Sequence, residues 1–154
     1  MEIADLLTCD GIVSSLRAPS KKQALQELSR RAAEITGLHE RTIFDVLLER
    51  ERLGTTGVGS GIAIPHGKLS ELKGLFGVFA RLEKPVEFDA VDEQPVDLIF
   101  LLLAPETAGA DHLKALARIS RLLRDRAVCE KLRAAGDEES LFGLLTGENA
   151  NHSV

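Results

Sequence analysis

Apolar side chains at Leu25, Leu28, Ala32 and Ile35 recur at intervals of three and four, the spacing of one buried helix face. Ser20 stands as N-cap, Gln23 is placed to complete a capping box, and Gly37 supplies the stop. A second helix is predicted from about His39 to Leu53, with Ile43, Phe44, Leu47 and Leu48 turned inward. The charge run Arg50-Glu51-Arg52 at its far end reads as a solvated surface. Arg50 is set apart, because it shares a face with Ile43 and Leu47 and can point beneath the loop that follows.

Strand patterns cover Gly11–Arg17, a strand end at Ile62–Pro65, Leu75–Leu82, and Pro95–Leu103. The last is apolar on both faces, as a central strand must be. Residues 84–89 read as a turn with a short edge piece, and residues 105–111 as a loop. Asp111 is placed to cap the next helix, with His112 at its first helical position and Leu113, Leu116, Ala117, Ser120 and Leu123 at helical spacing. A shorter helix over Ala127–Ala135, ended by Gly136, and one capped by Asp137 with Leu141, Leu144 and Leu145 complete the pattern. Two helices come early, strands fill the middle and three helices close the chain. That order predicts an α/β domain over residues 1–150 with a mixed sheet and helices on both faces; residues 151–154 are expected to be a frayed tail.

Composition narrows the function classes. The 154 residues are 44% hydrophobic with a net charge of -5, so a sizeable core is available and nucleic-acid binding has no global electrostatic support. Six Phe and no Trp or Tyr leave little for stacking on bases. Cys9 and Cys129 have neither metal-ligand spacing nor the density of a disulfide scaffold; Cys129 reads as a buried thiol. No signal-like segment is seen, and the run Leu98–Ala104 is too short to cross a bilayer. A cytoplasmic protein without membrane insertion is the expectation.

The stretch Thr55-Thr56-Gly57-Val58-Gly59-Ser60-Gly61-Ile62-Ala63-Ile64-Pro65-His66-Gly67-Lys68 carries the chemistry. Its glycines match neither a P-loop nor a dinucleotide fingerprint. The Ile-Pro-His-Gly ending instead looks built to aim one imidazole. Of four histidines, His152 lies in the tail, His39 at an exposed helix start, and His66 and His112 each follow a core strand and its loop. A metal pair lacks a third ligand, and Ser60 is not on a nucleophile elbow. A third candidate is an imidazole nucleophile toward phosphorus. His112, at a helix start that disfavours its charged form, would donate an N–H. Arg50 and the phosphate-binding candidates Thr55, Thr56 and Gly57 would supply further donors.

At these residues the chain resembles the fructose/mannitol-type IIA proteins of the bacterial phosphotransferase system, and within them the nitrogen-regulatory branch. The similarity runs from Arg50 through Lys68, with support at residues 85–90, 94–98 and 111–114, and covers roughly residues 3–146. It implies a mainly five-stranded mixed sheet and a phosphohistidine on His66 Nε2. It makes His112 the assisting histidine and Arg50 the arginine beside the phosphate. His39 stands where relatives often have an acidic or small cap, which weakens that cap. The implied donor is the small histidine phosphocarrier of the nitrogen branch, docking on an apolar rim around His66; the implied targets are partners such as potassium transporters or sensor kinases. No cofactor is implied, and such a carrier is classed with phosphotransferases without being plainly an enzyme. The alternatives are a sugar-uptake IIA component passing phosphate to a IIB domain, and a regulator that binds without transferring.

Overall fold

The computed structural model describes residues 2–147; residues 148–154, including the expected tail, lie outside the described residues. A 3-10 turn at Ile3–Asp5 precedes β1 (Ile12–Leu16), then α1 (Lys21–Thr36) and α2 (Glu40–Leu53). Three short strands follow, β2 (Gly57–Gly59), β3 (Ile62–Ala63) and β4 (His66–Leu69). The long strands β5 (Phe76–Val86) and β6 (Val96–Pro105) come next, and α3 (Ala110–Arg124), α4 (Arg126–Ala134) and α5 (Glu138–Thr146) close the fold.

The sheet is mixed. Its order is β1-β5-β6-β3-β2, with β4 also on β6; β5 runs antiparallel to β6, whereas β1 is parallel to β5 and both β3 and β4 are parallel to β6. β3 and β4 are one strand position broken at Ile64-Pro65. Ile62 pairs with Leu98, His66 with Leu102 and Leu69 with Pro105, so the register runs unchanged through the break. Six strands thus fill five positions.

β6 is the axis of the core. Residues from Leu98 to Leu103 are all fully buried, and alternate members feed two separate clusters. Ile99, Leu101 and Leu103 face α1 and α2 with Leu25, Leu28, Ile43 and Leu47. Leu98, Phe100 and Leu102 face the last three helices with Ile119, Leu132 and Leu141. Each such side chain contributes about 1.5–3 kcal/mol by leaving water, and period-2 alternation distributes that gain to both faces.

Local chemistry explains most element ends. Ser20 Oγ accepts the Gln23 N–H, but the Gln23 side chain lies 3.5 Å from that same hydroxyl, so half of the expected capping box forms. Gly37 ends α1 at φ 78°, and Asp125 and Asp137 cap α4 and α5. His39 precedes α2 without a side-chain cap bond.

Four expectations are corrected. β5 continues through Pro85 to Val86, because β1 is already finished and an irregularity between Arg81 and Val86 frees the position from the ladder. Asp111 is not the cap of α3. Gly109, at φ 59° and ψ -128°, holds that position, and His112 becomes the third helical residue. The buried stripe of α3 is His112, Ala115, Ile119 and Leu123, leaving Leu113 69% exposed. The glycine segment contains a β-hairpin that periodicity does not reveal. Ser60 and Gly61 both have positive φ, the requirement of a two-residue primed turn.

Gly67 lets α2 approach the sheet, since a Cβ there would overlap Val46 Cγ1. Gly67→Ala is expected to cost about 1–3 kcal/mol by overpacking, measured by urea unfolding. Val46→Ala in the same chain should restore part of that loss; a strictly additive double variant would contradict this packing.

Candidate phosphoryl-transfer site

Pro65 has no N–H and breaks the edge strand, and the chain re-enters the ladder at His66. The Leu102 N–H donates to the Pro65 carbonyl at 2.9 Å, which anchors the break to the core strand. β4 is paired on one side only, so the half-buried His66 ring stands at an open edge.

Its tautomer follows from its neighbours. Nδ1 lies 2.9 Å from the Ile64 carbonyl oxygen, which can only accept. Nε2 lies 3.2 Å from Arg50 Nε, which can only donate. The proton therefore sits on Nδ1, and the nucleophilic lone pair is on Nε2, turned toward a guanidinium. Arg50 Nη1 also donates to the Gly54 carbonyl at 2.9 Å, fixing the fork between the end of α2 and the loop.

His112 meets His66 edge-on, with ring centroids 5.7 Å apart. Its Nε2 is buried without a hydrogen-bond partner, singular in that respect among the described residues. A buried unpaired polar atom costs about 1–3 kcal/mol, a penalty that an incoming oxyanion or acceptor would relieve. The first turn of α3 places it where the helix favours negative charge.

The other expected residues belong to the loop that follows α2 and the start of β2. Thr55 Oγ1 donates to the Phe88 carbonyl at 2.8 Å and accepts the Gly57 N–H at 3.0 Å. The Thr56 N–H donates to Glu51 Oε1 at 3.0 Å, and the Thr56 hydroxyl to Glu51 Oε2. In this structure the donors of Thr55, Thr56 and Gly57 thus bond within the protein rather than toward the His66 cleft.

Glu51 belongs to the charge run that reads as solvated surface, and the structure corrects this. Its side chain is 4% exposed and pairs with Lys21 Nζ at 2.9 Å, so one carboxylate joins α1, α2 and the loop. A signal was present: an acidic residue in the last turn of a helix opposes the helix dipole and calls for local donors. Lys21 also lies 4.8 Å from the Phe88 ring centroid, which completes the underside of the site. On the outer surface, Leu53 and Leu113 are 83% and 69% exposed, one three residues after Arg50 in sequence and one adjacent to His112. Among the described residues no group of three or more His, Cys, Asp or Glu is placed to hold a metal, and no helix is long and apolar enough to cross a membrane.

Both site histidines are held below the ordinary value of 6.5. For His66 burial dominates; the Ile64 carbonyl opposes it, Arg50 adds to it, and Glu51 opposes it more weakly. For His112 burial is again first, followed by repulsion from His66 and Lys68. Each ring is then neutral in the fold at a pH where the unfolded chain takes up a proton. Their stabilising contribution should be complete above about pH 6.5 and fall as pH drops through the folded values. Proton NMR titration of the ring Cε1–H signals checks this; a midpoint above the ordinary value for either ring would contradict it. Glu51→Gln should cost about 1–3 kcal/mol and move the His66 midpoint further down, a shift that general loosening of the loop would not give.

Residues 5–147 match the family model "Phosphoenolpyruvate-dependent sugar phosphotransferase system, EIIA 2". A nitrogen regulatory protein of Bradyrhizobium diazoefficiens is 60% identical over 94% of this chain and 95% of its own length. A fructose-specific EIIA component of Haloferax volcanii is 36% identical over 94% of this chain and 97% of its own. The crystal structure of the nitrogen regulatory protein IIA-Ntr from Neisseria meningitidis superposes with a TM-score of 0.89 at 36% identity, covering 94% of this chain and 99% of that one. With a fold match and a sequence match that extend over nearly its whole described length, the chain belongs to the type-2 EIIA family of the phosphotransferase system.

Proposed function

We propose that this chain is the regulatory phosphoryl carrier of a nitrogen-type phosphotransferase branch, with His66 as the acceptor. The observation that carries the reading is the fixed tautomer of His66. Nδ1 is committed to Ile64, and the Nε2 lone pair faces Arg50 beside an unpartnered His112 nitrogen. Nε2 attacks the phosphorus of a phosphohistidine on the donor. The new P–N bond forms as the donor's P–N bond breaks, the bonding pair returning to the donor imidazole, and the proton stays on Nδ1, still donated to the Ile64 carbonyl. Arg50 turns its N–H from the lone pair to a phosphoryl oxygen, and His112 Nε2–H donates to another. These contacts stabilise charge on the equatorial oxygens. Thr55, Thr56 and Gly57 serve the phosphate by holding the loop through which Glu51 and Arg50 are placed.

The donor is a small histidine phosphocarrier of the nitrogen branch, and Leu53 and Leu113 flank its approach. Phosphorylation places up to two negative charges at the open edge of β4, which changes the surface that regulatory partners meet. Potassium transporters and sensor kinases are the target classes, and the setting is cytoplasmic. The similarity to a fructose-specific EIIA component favours a second reading, delivery to a IIB domain in sugar uptake. Rapid drainage of phosphate to a sugar-specific IIB domain would select it.

Transfer from a phosphorylated nitrogen-branch phosphocarrier, followed by quench-flow, tests the assignment. His66→Ala should accept nothing. His112→Ala and Arg50→Gln should slow acceptance by roughly 10²-fold each, the usual effect of losing one charge-stabilising donor, and the adduct should be acid-labile and base-stable. Full acceptance by His66→Ala would remove the central residue. No acceptance by the unaltered chain from nitrogen- or sugar-branch carriers would leave only a binding role.

A further inference from the structure

A cavity of about 800 Å³ opens between the β2–β3 hairpin and the α3–α4 junction, away from the His66 imidazole. Its floor is apolar: Ile62, Ile64 and Leu123 are buried there, and the half-exposed Val58 extends it outward. Its rim is basic. Arg121, Arg124 and Arg126 line it, and none has an ion pair or hydrogen bond among the described residues. Glu130 is the single acidic residue on the lining. In a chain of net charge -5, three guanidinium groups with no ion pair among the described residues, beside one apolar floor, form a local reversal of sign.

The walls are built rather than incidental. Arg133 grips Asp97 through Nε at 2.8 Å and Nη2 at 2.9 Å, and Nη2 also donates to the Ser60 carbonyl at 2.9 Å. The Ser60 N–H donates to Asp92 at 2.9 Å. The hairpin tip is therefore tied to α4 on one side and to the 89–94 loop on the other, which holds the cavity open. Cys129 contributes a thiol held toward its neutral form mainly by burial and bonded to the Leu123 carbonyl, so it is wall and not nucleophile.

We propose that this cavity is a binding site for a small organic anion with an apolar body, seated on Ile62, Ile64 and Leu123 with its charged group among Arg121, Arg124 and Arg126. The volume lies within the range of small-ligand sites, and planar guanidinium forks suit phosphate and carboxylate oxygens alike. The cavity also touches the reactive histidine through one residue: the side of Ile64 lines it, and the carbonyl of Ile64 holds the Nδ1 proton of His66.

The test is a fluorescence titration of the intact chain with 8-anilinonaphthalene-1-sulfonate, an apolar body bearing one anionic group, with amide NMR shifts to locate it. Saturable one-site binding that perturbs Val58, Ile62 and Ile64 is expected. Arg124→Gln/Arg126→Gln should weaken it at least tenfold while leaving the melting temperature unchanged, and the uncharged N-phenyl-1-naphthylamine should bind at least tenfold less tightly. Displacement of the dye by adenosine monophosphate would assign the natural ligand to organic phosphates, and displacement by octanoate to aliphatic carboxylates. Absence of saturable binding, indifference to the double substitution, equal binding of the uncharged probe, or shifts confined to Leu53 and Leu113 would each overturn the proposal. None of these readouts depends on phosphoryl transfer.

Discussion

The imidazole of His66 can be a nucleophile only while one nitrogen keeps its proton and the other keeps a free lone pair. That condition is met by a main-chain oxygen, the carbonyl of Ile64 at 2.9 Å from Nδ1. A backbone acceptor neither titrates nor rotates away as a side-chain carboxylate can. It is placed by the strand break at Pro65, and the break is held by the register of β3 and β4 on β6. The chemistry of one nitrogen is thereby anchored to the most deeply buried strand of the protein.

The second layer of the site is ionic. Glu51 is withdrawn from water and answered by Lys21 and by the amide and hydroxyl of Thr56. A carboxylate in that position stabilises the loop only if all its partners stay in place. It joins α1 to the end of α2, from which Arg50 reaches His66. Packing of two helices against one face of the sheet is in this way translated into the position of one guanidinium.

Much of the architecture was legible in the chain. Ser20, Gly37 and Asp137 mark helix ends by their own local chemistry, and Leu98–Leu103 is apolar on both faces because it is covered on both. What escaped has a common cause: partners distant in sequence. The hairpin at Gly57–Ala63 shows no alternation, since its turn is held by Asp92 and Arg133 from elsewhere. Glu51 looks solvated until Lys21 is brought to it. Leu113 looks like core by spacing, yet Gly109 starts α3 ahead of the expected cap and the observed stripe excludes it. At the site, the closeness of His66, His112 and Arg50 is a product of the fold. Their individual promise came from the Ile-Pro-His-Gly segment and from the ends of predicted elements.

The open side of β4 has a consequence for solubility. An unpaired strand edge offers N–H and C=O groups to any passing chain and is a common starting point for aggregation. Here the Ile64 N–H is spent on the Thr56 carbonyl, the Ile64 carbonyl is taken by the His66 ring, and Arg50 brings a charge to the rim. The features that orient the His66 imidazole at this edge thus also deny a template to an invading strand. A reactive edge can remain uncovered without becoming a sticky one.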